Sequence, residues 1–177
     1  LEYVTCEKVT EICCDKSTFL PDRELDEDAN MLVRLEGGGK GVLVCSQIAT
    51  GEENHLAIRV YASGGAVHWD QENPTFMGVN RYDEPRQVYT RGNDEYLGDE
   101  AMRVTRVPWG HPEGYLEAFA NIYCDFVEAV RAHIDGEPMA TEDYRFPTVY
   151  DGLRGMQFIY AAVESAEKGC TWVPLDR

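Results

Sequence analysis

The sequence predicts an α+β fold: an open, mostly antiparallel β-sheet with amphipathic helices packed on one face. Two patterns along the chain predict this class. The first half contains short segments in which apolar and polar residues alternate, separated by glycine-containing turns, as in antiparallel strands. The second half contains two long segments with apolar residues at helical spacing. No glycine-rich loop of the GxGxxG type joins a strand to a helix, which argues against a dinucleotide-binding parallel sheet.

Length and charge restrict what the chain can be. Its 177 residues suffice for one substantial core, so we expect a single domain spanning residues 1–177. The formal net charge of -16 argues against a nucleic-acid partner, because phosphate binding draws on clustered lysine and arginine. No apolar run approaches the roughly 20 residues of a membrane helix, and no signal peptide precedes Leu1, so no membrane association is expected.

The cysteines give no sign of a metal site. The six residues include no CxxC pair and no His/Cys spacing typical of zinc. Adjacent Cys13 and Cys14 would point to opposite faces of a strand, which makes them poor partners for each other or for one metal. We therefore expect reduced, partly buried thiols in a cytoplasmic protein.

The first strands follow in order along the chain. Residues Val9–Leu20 are rich in β-branched and aromatic side chains and end at Pro21. Met31–Glu36 alternates, Gly37–Lys40 supplies a hairpin turn, and Gly41–Ala49 returns as a second strand. This returning strand has apolar residues on both faces, which predicts cover on both sides. Helices would cover one side, and a second copy of the chain would cover the other.

A meander of shorter strands comes next. The alternating segment 56–61 is followed by a turn at Ser63–Gly65, and a hairpin mate is predicted at Ala66–Gln71. Two further strands are predicted at Thr75–Tyr82 and Gln87–Tyr89. Residues Gly92–Pro108 lack periodicity and are interpreted as a long loop over the sheet edge.

The first long helix is predicted from Pro112 to Gly136. Its apolar residues fall on one face and form a broad stripe, namely Tyr115, Leu116, Phe119, Ile122, Tyr123, Phe126, Val127, Val130 and Ile134. Pro112 suits the first helical position, and Glu113 would meet the unpaired N–H groups of the first turn. His111 would then lie at or just before the cap.

The second long helix is predicted to begin at Thr148, with Asp151 completing a capping box, and to end at Gly169. Its buried face is predicted to consist of the large apolar residues, namely Leu153, Met156, Ile159, Tyr160 and Val163. The segment 170–175, CTWVPL, closes the chain as a short strand.

No complete catalytic constellation is present in the sequence. Of the four histidines, His55, His68 and His133 are interpreted as structural. His111 differs because Trp109, Gly110 and Pro112 restrict its backbone where a loop meets a helix. A binding role and an N-cap role both fit this position.

Two long stretches carry a family resemblance. GHPEGYLEAFANIYCDF and FPTVYDGLRGMQFIYAAVESAEKGCTWVPL resemble the C-terminal part of the glucose-fructose oxidoreductase, inositol dehydrogenase and rhizopine-catabolism family (Gfo/Idh/MocA). SQIATGEENHLAIRVYASGGAVHW and LDEDANMLVRLEGGGKGVL resemble strands of the same domain. The resemblance spans about Val9 to Leu175.

The resemblance implies a two-domain oxidoreductase. A Rossmann domain binds NAD or NADP in such enzymes, and the second domain shapes a sugar or cyclitol pocket while its open sheet face packs against another subunit. The family's dinucleotide loop, Glu-Lys-Pro motif and Asp-x-x-x-His motif have no counterpart here. The Rossmann domain is therefore expected to precede Leu1. This chain should carry no catalytic residue and no cofactor of its own, and should be inactive in isolation.

The resemblance also implies candidate substrate-binding residues, because polyol hydroxyls need several hydrogen-bonding partners. The candidates are Gln47, Glu53, Asn54, His111 and Tyr115. His111 is further predicted to reach into the pocket of a neighbouring subunit.

Two alternatives to this interpretation remain. The first is a non-enzymatic module that dimerises through its apolar sheet face. The second is a hydrolase using Glu52, Glu53 or Glu113, although nothing in the sequence fixes two carboxylates at a catalytic separation.

Overall fold

The computed structural model describes residues 1–92 and 96–175. These residues form two compact units: the first unit comprises Leu1–Gly51 and Pro147–Arg177, and the second comprises Glu52–Phe146. Each unit contains one open, four-stranded antiparallel sheet. The predicted α+β class is confirmed, with the strands divided between two sheets where the sequence analysis described one.

The first unit contains a short helix, four strands and one long helix. In chain order these are α1 (Glu2–Thr5), β1 (Val9–Ser17), β2 (Asp28–Leu35), β3 (Lys40–Ser46), α4 (Val149–Glu167) and β8 (Val173–Pro174). The strand order is β3-β2-β1-β8. Ile12 on the central strand pairs with Val33 of β2 and with Val173 of β8. The closing segment of the chain therefore completes this sheet, as predicted.

One face of this sheet packs against α4 and forms the core. Ile12, Cys14 and Val33 are almost fully buried, and Ala161 and Ser165 of α4 are buried with them. The Ser165 Oγ accepts a hydrogen bond from the Cys14 N–H at 2.8 Å. The buried hydroxyl therefore has a hydrogen-bonding partner within the apolar core. Small residues on α4 thus allow the helix to approach the sheet closely.

The boundaries of α4 were predicted correctly, but its buried face was not. Thr148 and Asp151 form the expected capping box, with the Asp151 carboxylate 2.7 Å from the Thr148 amide nitrogen. Of the residues predicted to be buried, Leu153 is 57% exposed and Tyr160 is 67% exposed. The helix instead turns its smaller residues to the sheet, because α4 lies close to β1.

The opposite face of the first sheet is open. Leu32, Val42 and Val44 are 48%, 73% and 62% exposed, and the strand register places Leu32 opposite Val42. Alternation therefore gives β3 an apolar face that the rest of the first unit leaves uncovered among its described residues, in agreement with the prediction of an available sheet face.

The second unit contains the meander and the other helices. Its elements are β4 (Ala57–Ala62), β5 (Gly65–Asp70), β6 (Phe76–Arg81), β7 (Gln87–Thr90), α2 (Asp99–Val104), α3 (Tyr115–Ile134) and a 3-10 turn (Thr141–Asp143). The strands pair in sequence order, β4-β5-β6-β7, as the predicted hairpins require.

The interpretation of Gly92–Pro108 as a loop was wrong in part. Asp99–Val104 forms α2, with acidic residues in its first turn and Arg103 in its last turn, both favourable to the helix dipole. The helix is too short for a periodic pattern to reveal it. Residues 93–95 of the predicted loop lie outside the described residues.

The helix α3 begins three residues later than predicted. Gly114 is its N-cap and donates its N–H to the Glu117 carboxylate at 2.9 Å, so the helix starts at Tyr115 and not at Pro112. The predicted stop is confirmed at Gly136, whose φ of 81° lies in the left-handed region. The apolar stripe exists, but no residue of α3 is buried.

Within the described part of the chain, no helix is both long enough and apolar enough to cross a membrane.

Candidate functional site

The segment before α3 is held in place by an ion pair. The Glu113 carboxylate accepts hydrogen bonds from the Arg91 guanidinium and from the backbone N–H groups of Arg106 and Val107, the last two at 2.6 and 3.4 Å. Arg91 also donates to the carbonyl oxygens of Val107, at 3.3 Å, and of His111. One pair of side chains therefore fixes both ends of the 106–113 segment.

This pair, which we call the Arg91–Glu113 brace, is largely shielded from water. The Arg91 and Glu113 side chains are only 17% and 7% exposed. Removal of one partner from such a pair leaves an uncompensated charge, so the local conformation depends strongly on both residues. The prediction that Glu113 would serve the first turn of the helix was wrong, because its carboxylate is used in this brace.

His111 lies on the braced segment and is exposed. Its Nδ1 lies 3.2 Å from the Pro108 carbonyl oxygen and 3.1 Å from the Trp109 carbonyl oxygen. Carbonyl oxygens only accept, so Nδ1 carries the hydrogen and the neutral ring presents Nε2 as an acceptor. The N-cap alternative is wrong, since Gly114 occupies that position. A histidine oriented by its own loop can accept a hydrogen bond from a ligand hydroxyl.

A cavity of about 400 Å³ lies beside the start of α3. We call it the helix-start cavity; its lining comprises Pro74, Thr75, Pro112, Glu113, Gly114, Tyr115, Leu116 and Glu117. Tyr115, one of the candidate residues, thus lines this cavity. Hydrogen bonding to the Gly114 amide lowers the pKa of the Glu117 carboxyl, which keeps one wall of the cavity negatively charged.

The predicted residues Glu53 and Asn54 lie in the loop before β4. The Asn54 N–H donates to the Glu72 carboxylate at 3.4 Å, and the Glu72 N–H donates to the Asp70 carboxylate at 2.9 Å. Glu72 belongs to the 71–75 loop, whose residues Pro74 and Thr75 line the helix-start cavity. The 71–75 loop therefore borders both the Asn54 loop and the cavity within the second unit.

His55 stabilises this loop through two carboxylates. Its Nδ1 lies 2.6 Å from the Glu52 carboxylate, and its Nε2 lies 3.3 Å from the Asp70 carboxylate. The negative charge of Glu52 and its hydrogen bond raise the pKa of His55, with Asp70 and Glu72 adding to the effect. The structural role predicted for His55 agrees with these contacts.

The candidates are divided between the two units. His111, Tyr115, Glu53 and Asn54 belong to the second unit, whereas Gln47 belongs to the first and donates its N–H to the Glu27 carbonyl at 2.7 Å. Sequence reasoning missed Arg91, Pro74 and Thr75. Arg91 lies 22 positions before Glu113, and no local pattern connects them.

The donor set offers no metal site among residues 1–92 and 96–175, since no three histidine, cysteine or acidic side chains there could hold an ion together. Glu113 is committed to the brace, which removes it from the hydrolytic alternative. The helix-start cavity instead carries the hydroxyl groups of Thr75 and Tyr115 and the carboxylate of Glu117 in its lining, and such groups can hydrogen-bond a polyhydroxylated ligand.

Comparisons with known proteins find relatives that match most of the chain. A family profile described as the GFO/IDH/MocA C-terminal domain matches residues 1–68. The uncharacterized oxidoreductase YfiI of Bacillus subtilis (strain 168) is 30% identical over 167 residues, which is 94% of this chain and 42% of that protein. The chain thus spans less than half the length of that relative.

Two solved structures share the fold. An oxidoreductase from Sinorhizobium meliloti is 38% identical with a TM-score of 0.89, and the match covers 97% of this chain and 48% of that one. An inositol dehydrogenase homolog from Azotobacter vinelandii, in complex with NADH and myo-inositol, is 30% identical with a TM-score of 0.89. That match covers 95% of this chain and 44% of the homolog.

Proposed function

Because the chain belongs to the C-terminal domains of the Gfo/Idh/MocA oxidoreductase family, we propose that it supplies the substrate pocket and oligomer interface of an NAD(P)-dependent oxidoreductase. The substrate would be a sugar, a cyclitol or a related polyol. The observation that carries the proposal is the match, along 95% of the chain, to an inositol dehydrogenase homolog that holds NADH and myo-inositol.

In such a protein, the site for the nicotinamide cofactor would be formed by residues outside this chain. A dinucleotide site needs a glycine-rich turn between a strand and a helix, where amide groups meet the pyrophosphate. The glycine-rich segment here, Gly37–Gly41, runs from the turn after β2 into the start of β3 and forms a hairpin. The described residues therefore do not fit the cofactor, and their contribution is to bind and orient the substrate.

Substrate recognition would come from Tyr115 in the helix-start cavity and from candidates on adjoining segments, namely His111 next to Pro112 and the Glu53–Asn54 loop, which contacts the 71–75 loop. The His111 Nε2 and the Glu53 carboxylate would accept hydrogen bonds from hydroxyls, and the Tyr115 hydroxyl and the Asn54 amide could both donate and accept. Gln47 belongs to the first unit and stays a separate candidate. A site with several such groups rejects ligands that leave them unpaired, which is how an enzyme distinguishes one polyol from another.

The oligomer interface would be the open face of the first sheet. Its exposed residues Leu32, Val42 and Val44 form an apolar surface of the kind that isologous dimers bury. The same surface favours the alternative function, a dimerising module without enzymatic activity. The two functions differ in whether nicotinamide reduction accompanies self-association.

The substrate-pocket proposal is tested by kinetics in the full-length protein. Substituting His111→Ala or Tyr115→Phe is expected to raise KM for the polyol about tenfold, which is the effect of losing one good hydrogen bond, with KM for the nicotinamide unchanged. His133→Ala, near the other end of α3, is the matched control and should leave both constants unchanged. An unchanged KM for the polyol in both the His111→Ala and the Tyr115→Phe variant would contradict the assignment.

A further inference from the structure

A second cavity lies on the sheet of the second unit, with a volume of about 270 Å³. We call it the arginine pocket; its lining comprises Arg59, Tyr61, Ala66, Val67, His68, Asn80 and Arg86. None of these residues is acidic, although the chain has a formal net charge of -16. From the geometry below we infer that the arginine pocket binds a small oxyanion of the phosphate type, including the phosphate group of a monoester.

The strand register brings the polar groups to one face. Arg59 pairs with His68 across β4 and β5, and His68 pairs with Gly78 across β5 and β6. Directly opposed residues of antiparallel strands share a face, so Arg59 and His68 point to the same side. Two residues away on the same strands, Ala66 of β5 pairs with Tyr61 of β4 and with Asn80 of β6. Tyr61 and Asn80 therefore lie on the same face as Arg59 and His68.

Gly78 makes room for the histidine ring. A Cβ at this position would lie 1.8 Å from the His68 Cε1 and 2.4 Å from each ring nitrogen. The imidazole therefore lies across the backbone of β6, which only glycine permits at this contact. This position brings His68 Nε2 to 2.5 Å from an Nη of Arg86, whose side chain comes from the turn between β6 and β7.

The hydrogen-bonding chemistry leaves donors for a ligand. A guanidinium only donates, so in this contact His68 Nε2 accepts and the ring hydrogen is on Nδ1. Within the part of the chain that the structure describes, neither Arg59 nor Arg86 forms an ion pair with a carboxylate, whereas Arg81 next to the pocket pairs with Glu84 at 3.6 Å. The pocket thus combines two uncompensated cations.

The acidic residue on the same face of β5 already has hydrogen-bonding partners. Asp70, which follows His68 on the same face of β5, contacts His55 and accepts the Glu72 N–H. An oxyanion would supply the missing counter-charge, since guanidinium groups bind phosphate oxygens through paired N–H donors. The Tyr61 hydroxyl, the Asn80 amide and His68 Nδ1 would add single hydrogen bonds.

This inference does not depend on the proposed function, because none of the seven lining residues belongs to the helix-start cavity. It is tested by isothermal titration of the full-length protein with inorganic phosphate at constant ionic strength. We expect saturable binding of one phosphate per chain. Sodium acetate is the second ligand, and it should bind more weakly because a monoanion with two oxygens cannot engage both guanidinium groups.

Three variants address the pocket itself. Arg59→Gln and Arg86→Gln should each weaken phosphate binding about tenfold or more, as expected for losing a charge-assisted contact. Gly78→Ala should also weaken phosphate binding about tenfold or more, because the added methyl group would displace His68. Circular dichroism would confirm that this variant is folded. Arg131→Gln on α3 removes the same charge elsewhere on the second unit and should leave binding unchanged. Absence of saturable binding, or equal weakening by Arg131→Gln, would overturn the inference.

Discussion

The Arg91–Glu113 brace makes a quantitative prediction about the segment that carries His111. Substituting Glu113→Gln keeps the size of the side chain but removes its charge and replaces one acceptor oxygen with a donor. The Arg91 guanidinium then loses its counter-charge, and one of the amides of Arg106 and Val107 loses its acceptor. The substitution therefore changes one side chain and directly affects only the groups that donate hydrogen bonds to it.

The size of the effect follows from burial. Breaking a fully buried ion pair costs about 3–5 kcal/mol, and a hydrogen bond to a charged group is worth about 1.5–3 kcal/mol. Arg91 is 17% exposed and retains its bonds to carbonyl oxygens, so the lower end applies. We expect the segment to be destabilised by about 3 kcal/mol, which corresponds to roughly a 100-fold increase in local opening.

The assay is amide hydrogen exchange followed residue by residue. The backbone amides of Arg106 and Val107 report directly, because they donate to Glu113. Their exchange should accelerate about 100-fold in Glu113→Gln, while amides in the core of the first unit keep their wild-type rates. In the double variant with Arg91→Gln, the two effects should not add, because both substitutions remove the same interaction.

The matched control is Glu164→Gln, which removes the partner of Lys168 on the surface of α4. These side chains are 49% and 61% exposed, so the pair should contribute less than about 0.5 kcal/mol. If Glu113→Gln changes the exchange of the two reporter amides no more than this control does, the brace does not hold the segment, and the reasoning fails.

Two further predictions concern the first unit. Burial would raise the pKa of Glu2, but hydrogen bonds from Arg154, the Val9 amide and Lys8 outweigh it and lower the pKa from 4.5 to about 2. The stabilisation is therefore complete above pH 4.5 and is lost as pH falls through about 2. Glu2→Gln should cost about 2 kcal/mol at neutral pH after allowance for solvent screening and only a small fraction of this near pH 2, as urea unfolding across this range would show. Ser165→Ala should cost about 2 kcal/mol at every pH in the same assay, because a buried N–H and C=O each lose a partner, whereas a cost below about 0.5 kcal/mol would show that water replaces the hydroxyl.

Much of the fold follows from local sequence signals. The meander β4–β7 was predicted because each strand alternates and each turn carries glycine or polar residues. The capping box at Thr148 and the glycine stop at Gly136 fix helix ends through backbone chemistry that needs no distant partner. These signals are local, so a single sequence contains them.

The errors at the two long helices share one cause, which is that tertiary contacts decide between local alternatives. The buried stripe of α4 contains Ala161 and Ser165, about 100° around the helix from the stripe of large residues that includes Leu153 and Tyr160. Helical periodicity in the sequence is compatible with the burial of either stripe. The close approach of β1 to the helix determines that the stripe of small residues is the buried one. At α3, both Pro112 and the Gly114 cap fit a helix start, and the Glu113 contacts with Arg91 leave Pro112 outside the helix.

The candidate site was predictable only in part. The rigid neighbours of His111 in sequence indicated a fixed loop, which the structure confirms. Arg91 fixes that loop through Glu113, from which it is separated by 22 positions along the chain. No sequence pattern indicates that two residues so far apart form a pair. Pro74 and Thr75 belong to an ordinary polar turn and line the helix-start cavity only because α3 begins beside it.

The central claim is that this chain provides the substrate half of a nicotinamide-dependent polyol oxidoreductase. Its most direct test is a steady-state assay of the full-length protein with NAD or NADP and a panel of sugars and cyclitols that includes myo-inositol. We predict polyol-dependent reduction of the nicotinamide with saturation by at least one member of the panel. Self-association without reduction by any member would contradict the claim and favour the interaction module.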